Sequence, residues 1–221
     1  GFPGYGLIER ARRLGIPNAT HNNTRGHVTR RLEERLVEAA TDPADGDRSP
    51  YRVLNLETGS LAAEAALKMV LSRFYRLQHD SPPPPYADRV PVLLVLGDDQ
   101  GNLEANYHGT TFETQMLRGK WPALLAKLEA GQALKVRAIR PNSVEDLESA
   151  FLEYDRGPMK LAAFFHELVM MNYGAKRLTE AFVRKAYDLC DRYDVPTVLD
   201  EIQTGLWSPA LFLHREYGRH P

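Results

Sequence analysis

Continuous apolar runs alternate along this chain with stretches in which apolar side chains recur every three or four positions. The runs Val90-Pro91-Val92-Leu93-Leu94-Val95-Leu96 and Leu161-Ala162-Ala163-Phe164-Phe165 have no polar face, which predicts strands buried on both sides. Val195 to Leu199 reads the same way and runs into Asp200-Glu201-Ile202-Gln203-Thr204-Gly205. Lys135 to Arg140 and Tyr51 to Leu56 are further strand candidates. Helical spacing appears in Val144, Leu147 and Phe151 behind a capping Ser143, and in Leu178, Phe182, Ala186 and Leu189. Leu61 to about Leu77 predicts a long helix whose first half is apolar nearly all round, hence buried on several sides. Strands and helices therefore alternate over residues 51–205. This is an α/β pattern, a mainly parallel sheet with helices on both faces.

The first fifty residues read as loop, helix, loop. Val28, Leu32, Leu36 and Ala39/Ala40 share one helical face, opposite Arg30, Glu33, Glu34 and Glu38. The predicted organisation is an N-terminal helical segment over 1–50 and a larger α/β domain over 51–221. Ser81-Pro82-Pro83-Pro84-Pro85 is a stiff connector too short to separate domains, and Thr110-Thr111 is a helix-start signal.

Composition narrows the partners. A net charge of −1 gives no electrostatic reason to expect nucleic acid or an anionic membrane surface. No apolar run reaches the roughly 18 residues that a spanning helix needs. The N-terminus shows no basic stretch followed by an apolar core, so no signal peptide is expected. Cys190 is the only cysteine, which excludes internal disulfides and multi-cysteine metal sites. A cytoplasmic protein that binds small molecules, with no metal, is the expectation.

Three strand ends or strand-to-helix turns carry candidate chemistry, and ligands of open α/β sheets collect at the carboxyl ends of strands. Gly59-Ser60 opens a helix, where backbone can approach a ligand and free N–H groups suit a phosphate. Tyr107-His108-Gly109 sets an aromatic ring in a loop, able to lie on a flat heteroaromatic group. Asp200 offers a carboxylate for a protonated ring nitrogen, and Gln203 an amide for a ring oxygen. Phosphate, flat ring and ring nitrogen together describe pyridoxal 5′-phosphate.

The motifs resemble those of the class III aminotransferases, pyridoxal-phosphate enzymes of fold type I. Thr58-Gly59-Ser60-Leu61-Ala62-Ala63-Glu64-Ala65-Ala66-Leu67-Lys68 is similar to the family's "GSEAxEAAxK", and Tyr107-His108-Gly109-Thr110-Thr111 to its "YHGxT". Leu189 to Tyr193 and Asp200 to Gly205 are similar to "LCxxYgxlxxxDEVQTG", in the same order. The resemblance implies a fold type I large domain and transfer of an amino group between an amine or amino acid and a keto acid or aldehyde. It implies that Gly59 and Ser60 hold the cofactor phosphate, that Tyr107 stacks on the ring with His108 nearby, that Asp200 pairs with the ring nitrogen, and that Gln203 contacts the ring hydroxyl. Glu167 aligns with the acid of "EPxxGEGG", implying substrate selection through an arginine. Family members mostly form homodimers.

Departures accompany these matches. Glu167 is followed by Leu168 to Gly174 rather than a Pro- and Gly-rich turn, and Gly205 by Leu206-Trp207-Ser208-Pro209-Ala210 rather than "FGRTG". None of Lys68, Lys120, Lys127, Lys135, Lys160, Lys176 or Lys185 stands in the motif of the family's Schiff-base lysine. The expectation is a fragment of the large domain, cut before that lysine and the C-terminal domain. Alternatives are a racemase, aminomutase or decarboxylase on the same scaffold, or a non-catalytic module that kept the fold. A nicotinamide-dependent oxidoreductase would need a Gly-x-Gly-x-x-Gly turn, and none is present.

Overall fold

A computed structural model describes residues 4–15, 27–41 and 52–218. The chain divides into two compact units, Gly1–Leu56 and Glu57–Pro221. The first contains α1 (Gly4–Arg13) and α2 (His27–Ala40). Arg31 and Arg35 pair with Glu34 and Glu38 one turn on along α2, while Leu32 is half exposed. The strand expected at Tyr51–Leu56 does not form over the described part, since 52–56 has no regular structure. A strand exists only as a ladder partner, and no described strand pairs with this segment. Tyr51 lies outside the described residues.

The second unit is built on a four-stranded sheet in the order β2-β1-β3-β6, every pair parallel. Its strands are β1 (Val90–Leu96), β2 (Lys135–Ile139), β3 (Met159–Glu167) and β6 (Thr197–Asp200). β4 (Val169–Met170) and β5 (Lys176–Arg177) form a small antiparallel ribbon directly after β3. The apolar run of β1 serves two faces at once. Val92, Leu94 and Leu96 pack with Leu147 and Phe151 of α6 (Val144–Tyr154) and with Phe182 and Ala186 of α7 (Glu180–Arg192). Leu93 and Val95 pack on the other side with Leu67 and Val70 of α3 (Gly59–Leu71). Successive strand residues point to opposite faces, so a strand covered on both sides must be apolar throughout.

Helix starts follow local chemistry. Thr58, Thr111, Ser143 and Thr179 each accept, through the side-chain hydroxyl, a backbone N–H three residues on, capping α3, α4 (Phe112–Leu117), α6 and α7. α3 ends at Leu71, short of the expected Leu77. The Ser72 hydroxyl donates to the Met69 carbonyl, and the chain then turns so that Phe74 enters the core while Leu77 stays exposed. Two helices were not anticipated. α1 carries no buried residue, although Leu7, Ile8, Ala11 and Leu14 recur at helical spacing along it and one residue past its end, and the three large ones stay exposed. α5 (Pro122–Ala130) starts from Trp121 in a left-handed conformation (φ 61°) followed by Pro122 at the first helical position. No described helix is long and apolar enough to cross a membrane.

Candidate active site

The carboxyl ends of β3 and β6 meet the start of α3 and the loop 106–111 around a cavity of about 290 Å³. Its walls include Gly59, Ala62, Ala63 and Ala66 from α3, His108 from the loop, Phe165 from β3, and Val198, Asp200, Glu201 and Ile202 from β6 and beyond. The alanines let the helix lie close to the sheet.

Asp200 is the best-held group here. Its Oδ1 accepts the Ile202 backbone N–H at 3.0 Å, and its Oδ2 lies 3.1 Å from His108 Nδ1. A carboxylate oxygen accepts, so His108 carries a hydrogen on Nδ1 and its tautomer is set by Asp200. His108 is buried at 2% exposure, with its ring 5.8 Å from that of Phe165. Its Nε2 is buried without a hydrogen-bond partner among the described residues. Buried polar atoms are rarely left so, and such an atom marks a place that another group completes.

At the start of α3 the capping position belongs to Thr58, not Ser60. Ser60 Oγ instead accepts the Thr110 N–H at 2.9 Å and lies 3.4 Å from the Thr110 hydroxyl. The Gly59 and Ser60 amides, at the first two helical positions, have no intrahelical acceptor and sit at the positive end of the helix dipole. Gly109 adopts φ +123°, and a Cβ there would lie 2.6 Å from Ser60 Cα. Only glycine permits this approach of loop to helix.

Glu167 is the register partner of Asp200 on the neighbouring strand and is 4% exposed. Burial first, and the Asp200 carboxylate second, push it up to about 8. No arginine or lysine meets it among the described residues. His166 faces the other side of the sheet, stacks on Phe164 and bonds the Tyr187 hydroxyl at 2.8 Å. Burial drives it down to about 3, so it is neutral.

Of the residues singled out from sequence, Gly59, Ser60, His108 and Asp200 come together, with Glu167 beside them. Ser60, next to Gly59, and Glu167, the register partner of Asp200, adjoin the cavity without lining it, and Tyr107 and Gln203 are not part of its wall. The Tyr107 ring is half-buried and lies under the Arg118 guanidinium, 5.0 Å from its centroid, and Gln203 is exposed. None of the lysines lines the cavity, and Lys68, Lys120, Lys160, Lys176 and Lys185 are held in ion pairs. Sequence reasoning passed over Thr110, Ile202 and Glu201. Glu201 accepts the His214 backbone N–H at 2.8 Å and tethers the segment after β6. The available signal was that all three stand inside the motif stretches 107–111 and 200–205.

A sequence model of the family described as Aminotransferase class-III matches residues 16–221. The chain belongs to the class-III aminotransferases. Among curated members of that family it is 26% identical over 163 residues to an acetylornithine aminotransferase of Synechocystis sp., covering 70% of this chain and 32% of that protein. It is also 26% identical to a 5-aminovalerate aminotransferase of Pseudomonas aeruginosa, covering 82% of this chain and 39% of that one. The chain thus spans about a third of the length of these aminotransferases. In fold it is similar to the ornithine aminotransferase of Toxoplasma gondii, with a TM-score of 0.64 at 23% identity over 97% of this chain and 44% of that one. The N-acetylornithine aminotransferase of Stenotrophomonas maltophilia gives 0.61 at 24%, over 97% and 45%.

Class-III aminotransferases depend on pyridoxal phosphate. The residues present fit that group. Two helix-end amides and the Ser60 hydroxyl suit a phosphate, an oriented carboxylate suits a ring nitrogen, and the buried, unpartnered His108 Nε2 leaves a polar atom for a bound molecule to satisfy.

Proposed function

We propose that this chain is the cofactor-holding part of a pyridoxal-phosphate aminotransferase. The enzyme would move an amino group between an amine or amino acid and a keto acid or aldehyde. The observation that carries the reading is Asp200, fixed by His108 and the Ile202 amide at a strand end facing the α3 start. Bound there, the cofactor supplies an electron sink for the carbanion formed next to the substrate nitrogen.

The chain's own residues do the holding. Gly59 and Ser60 bind the phosphate through backbone amides and the Ser60 hydroxyl. Asp200 keeps a proton on the ring nitrogen, because a carboxylate beside that nitrogen favours its charged form. His108 fixes the Asp200 carboxylate, so the charge is aimed before the ligand arrives. Ile202 lines the cavity with its apolar side chain. Tyr107, whose ring lies under Arg118, would stack on the cofactor ring, and Gln203 would serve the ring hydroxyl. The resemblance supports these two roles, along with a homodimer. Exposed Leu61 and Met69 on α3 suit such a partner surface. Cytoplasmic residence is supported by Cys190, a lone buried thiol that burial pushes up to about 12.

Asp200→Asn in the holoenzyme tests the proposal. It keeps the shape and removes the charge, and loss of one hydrogen bond to a charged group costs about 2 kcal/mol, or roughly thirtyfold in cofactor affinity. Wild-type affinity together with wild-type amino transfer in this variant would defeat the assignment.

A further inference from the structure

Glu167 has no place in the scheme above, yet it is one of the most deeply placed charged-type residues in the chain. It ends β3 in register with Asp200 at the end of β6, and Phe165 pairs with Val198 one step earlier on the same side. Neighbouring parallel strands lie about 4.8 Å apart, and register partners point to the same face. Two carboxyl groups therefore stand side by side above the sheet. Asp200 is satisfied by His108 and the Ile202 amide. Glu167 has no hydrogen-bond or ion-pair partner among the described residues. Among the described residues the surroundings offer it no cation: β6 presents Asp200, the position after it presents Glu201, which is paired with His214, the loop after β1 presents His108 already bonded to Asp200, and α3 presents alanines to the cavity. His166, on the same strand, turns to Tyr187 on the opposite side.

We infer that Glu167 is a positioning residue that acts as a neutral carboxylic acid beside Asp200, leaving Asp200 the one ionised member of this side-by-side pair. Two adjacent carboxylates, one of them buried and unpaired, would each raise the cost of ionising the other. A neutral acid also has an O–H to donate, and each Asp200 oxygen has a second lone pair to receive it. This differs from selection of substrate through an arginine, which needs an ionised and reachable Glu167. The inference rests on the proposed function only for what Asp200 holds.

Infrared difference spectra of the wild-type protein and its Glu167→Gln variant give a direct readout. A protonated-carboxyl carbonyl band is expected at neutral pH, present in the wild type, absent from the variant, and lost as pH rises through about 8. Melting of the apoprotein against pH is the second arm. The native state keeps a proton that the unfolded chain releases above about pH 4.5, so the Glu167 contribution to wild-type stability slopes downward as pH rises from there towards 8, and it is read above about pH 6.5, where the neutral His166 no longer opposes it. Glu167→Gln removes that slope. Absence of the band at pH 7, or an unchanged slope in the variant, overturns the inference. So does equal destabilisation of Glu167→Gln at every pH, the signature of a lost ion pair. Asp200→Asn separates the two proposals: the carboxyl band persists in it, whereas wild-type cofactor affinity in it would strike only at the proposed function.

Discussion

Substituting Gly109 by alanine puts a single methyl group where the loop meets α3. The added Cβ would lie 2.6 Å from both Cα and Oγ of Ser60 and 2.8 Å from its Cβ. Cα belongs to the first turn of a helix and cannot swing aside. Alanine at φ +123° also occupies a sparsely populated backbone region, at about 1–3 kcal/mol. Overpacking adds about 1–3 kcal/mol where neighbours are rigid. The loop relieves this by lifting away from α3, which breaks the Thr110 N–H to Ser60 Oγ bond and displaces His108 from Asp200. Re-forming the native loop on binding then costs at least about 2 kcal/mol, or roughly thirtyfold in cofactor affinity. Ser60→Ala is the control. It removes the hydroxyl without strain, at about 1 kcal/mol or some fivefold. Fluorescence titration of the apoenzyme with pyridoxal phosphate, paired with thermal melting, separates the two variants. Adding Ser60→Gly to the Gly109→Ala background removes two of the three clashing atoms and restores part of the affinity. A Gly109→Ala enzyme with wild-type affinity and melting temperature would refute the close-approach argument.

Other outcomes follow from the same contacts. Lys160→Met strands Asp155, since the two form an ion pair at 2.8 Å with side chains 5% and 7% exposed; denaturant unfolding should show a loss of about 3–5 kcal/mol, with much of it recovered in a Lys160→Met/Asp155→Leu double variant. His166 is held neutral, so at this group the unfolded chain binds more protons than the native one below about pH 6.5; its contribution to stability declines as pH falls from there towards 3, and His166→Gln removes that contribution, most plainly below about pH 4.5 where Glu167 no longer opposes it. Glu201→Gln weakens the tether to His214, and proteolysis of the segment after β6 should speed up while the core strands remain protected.

How much of this was legible beforehand depends on how local each cause is. β1 and β3 could be read directly, because a strand covered on both faces must be apolar at every position. The helices α6 and α7 showed their period and their caps. The candidate site was legible where one residue's chemistry sits at a strand end or helix start, as with Asp200, Gly59 and Ser60, whereas His108 entered only through the family resemblance. α1 was missed although Leu7, Ile8, Ala11 and Leu14 keep a helical period, because they stand among helix-breaking Gly and Pro residues, and the expected strand at 51–56 failed because pairing depends on a partner that no nearby residue announces. The His108–Asp200 bond spans 92 positions and the Ser60–Thr110 bond 50, so both depend on how the chain returns to itself. Glu167 shows the division most clearly. Its identity and its place after an apolar run were plain from sequence, and the family resemblance implied an acid awaiting an arginine. The register of β3 on β6 set it beside Asp200 with no cation in reach among the described residues, and backbone pairing, which decides that neighbour, leaves no mark in either segment alone.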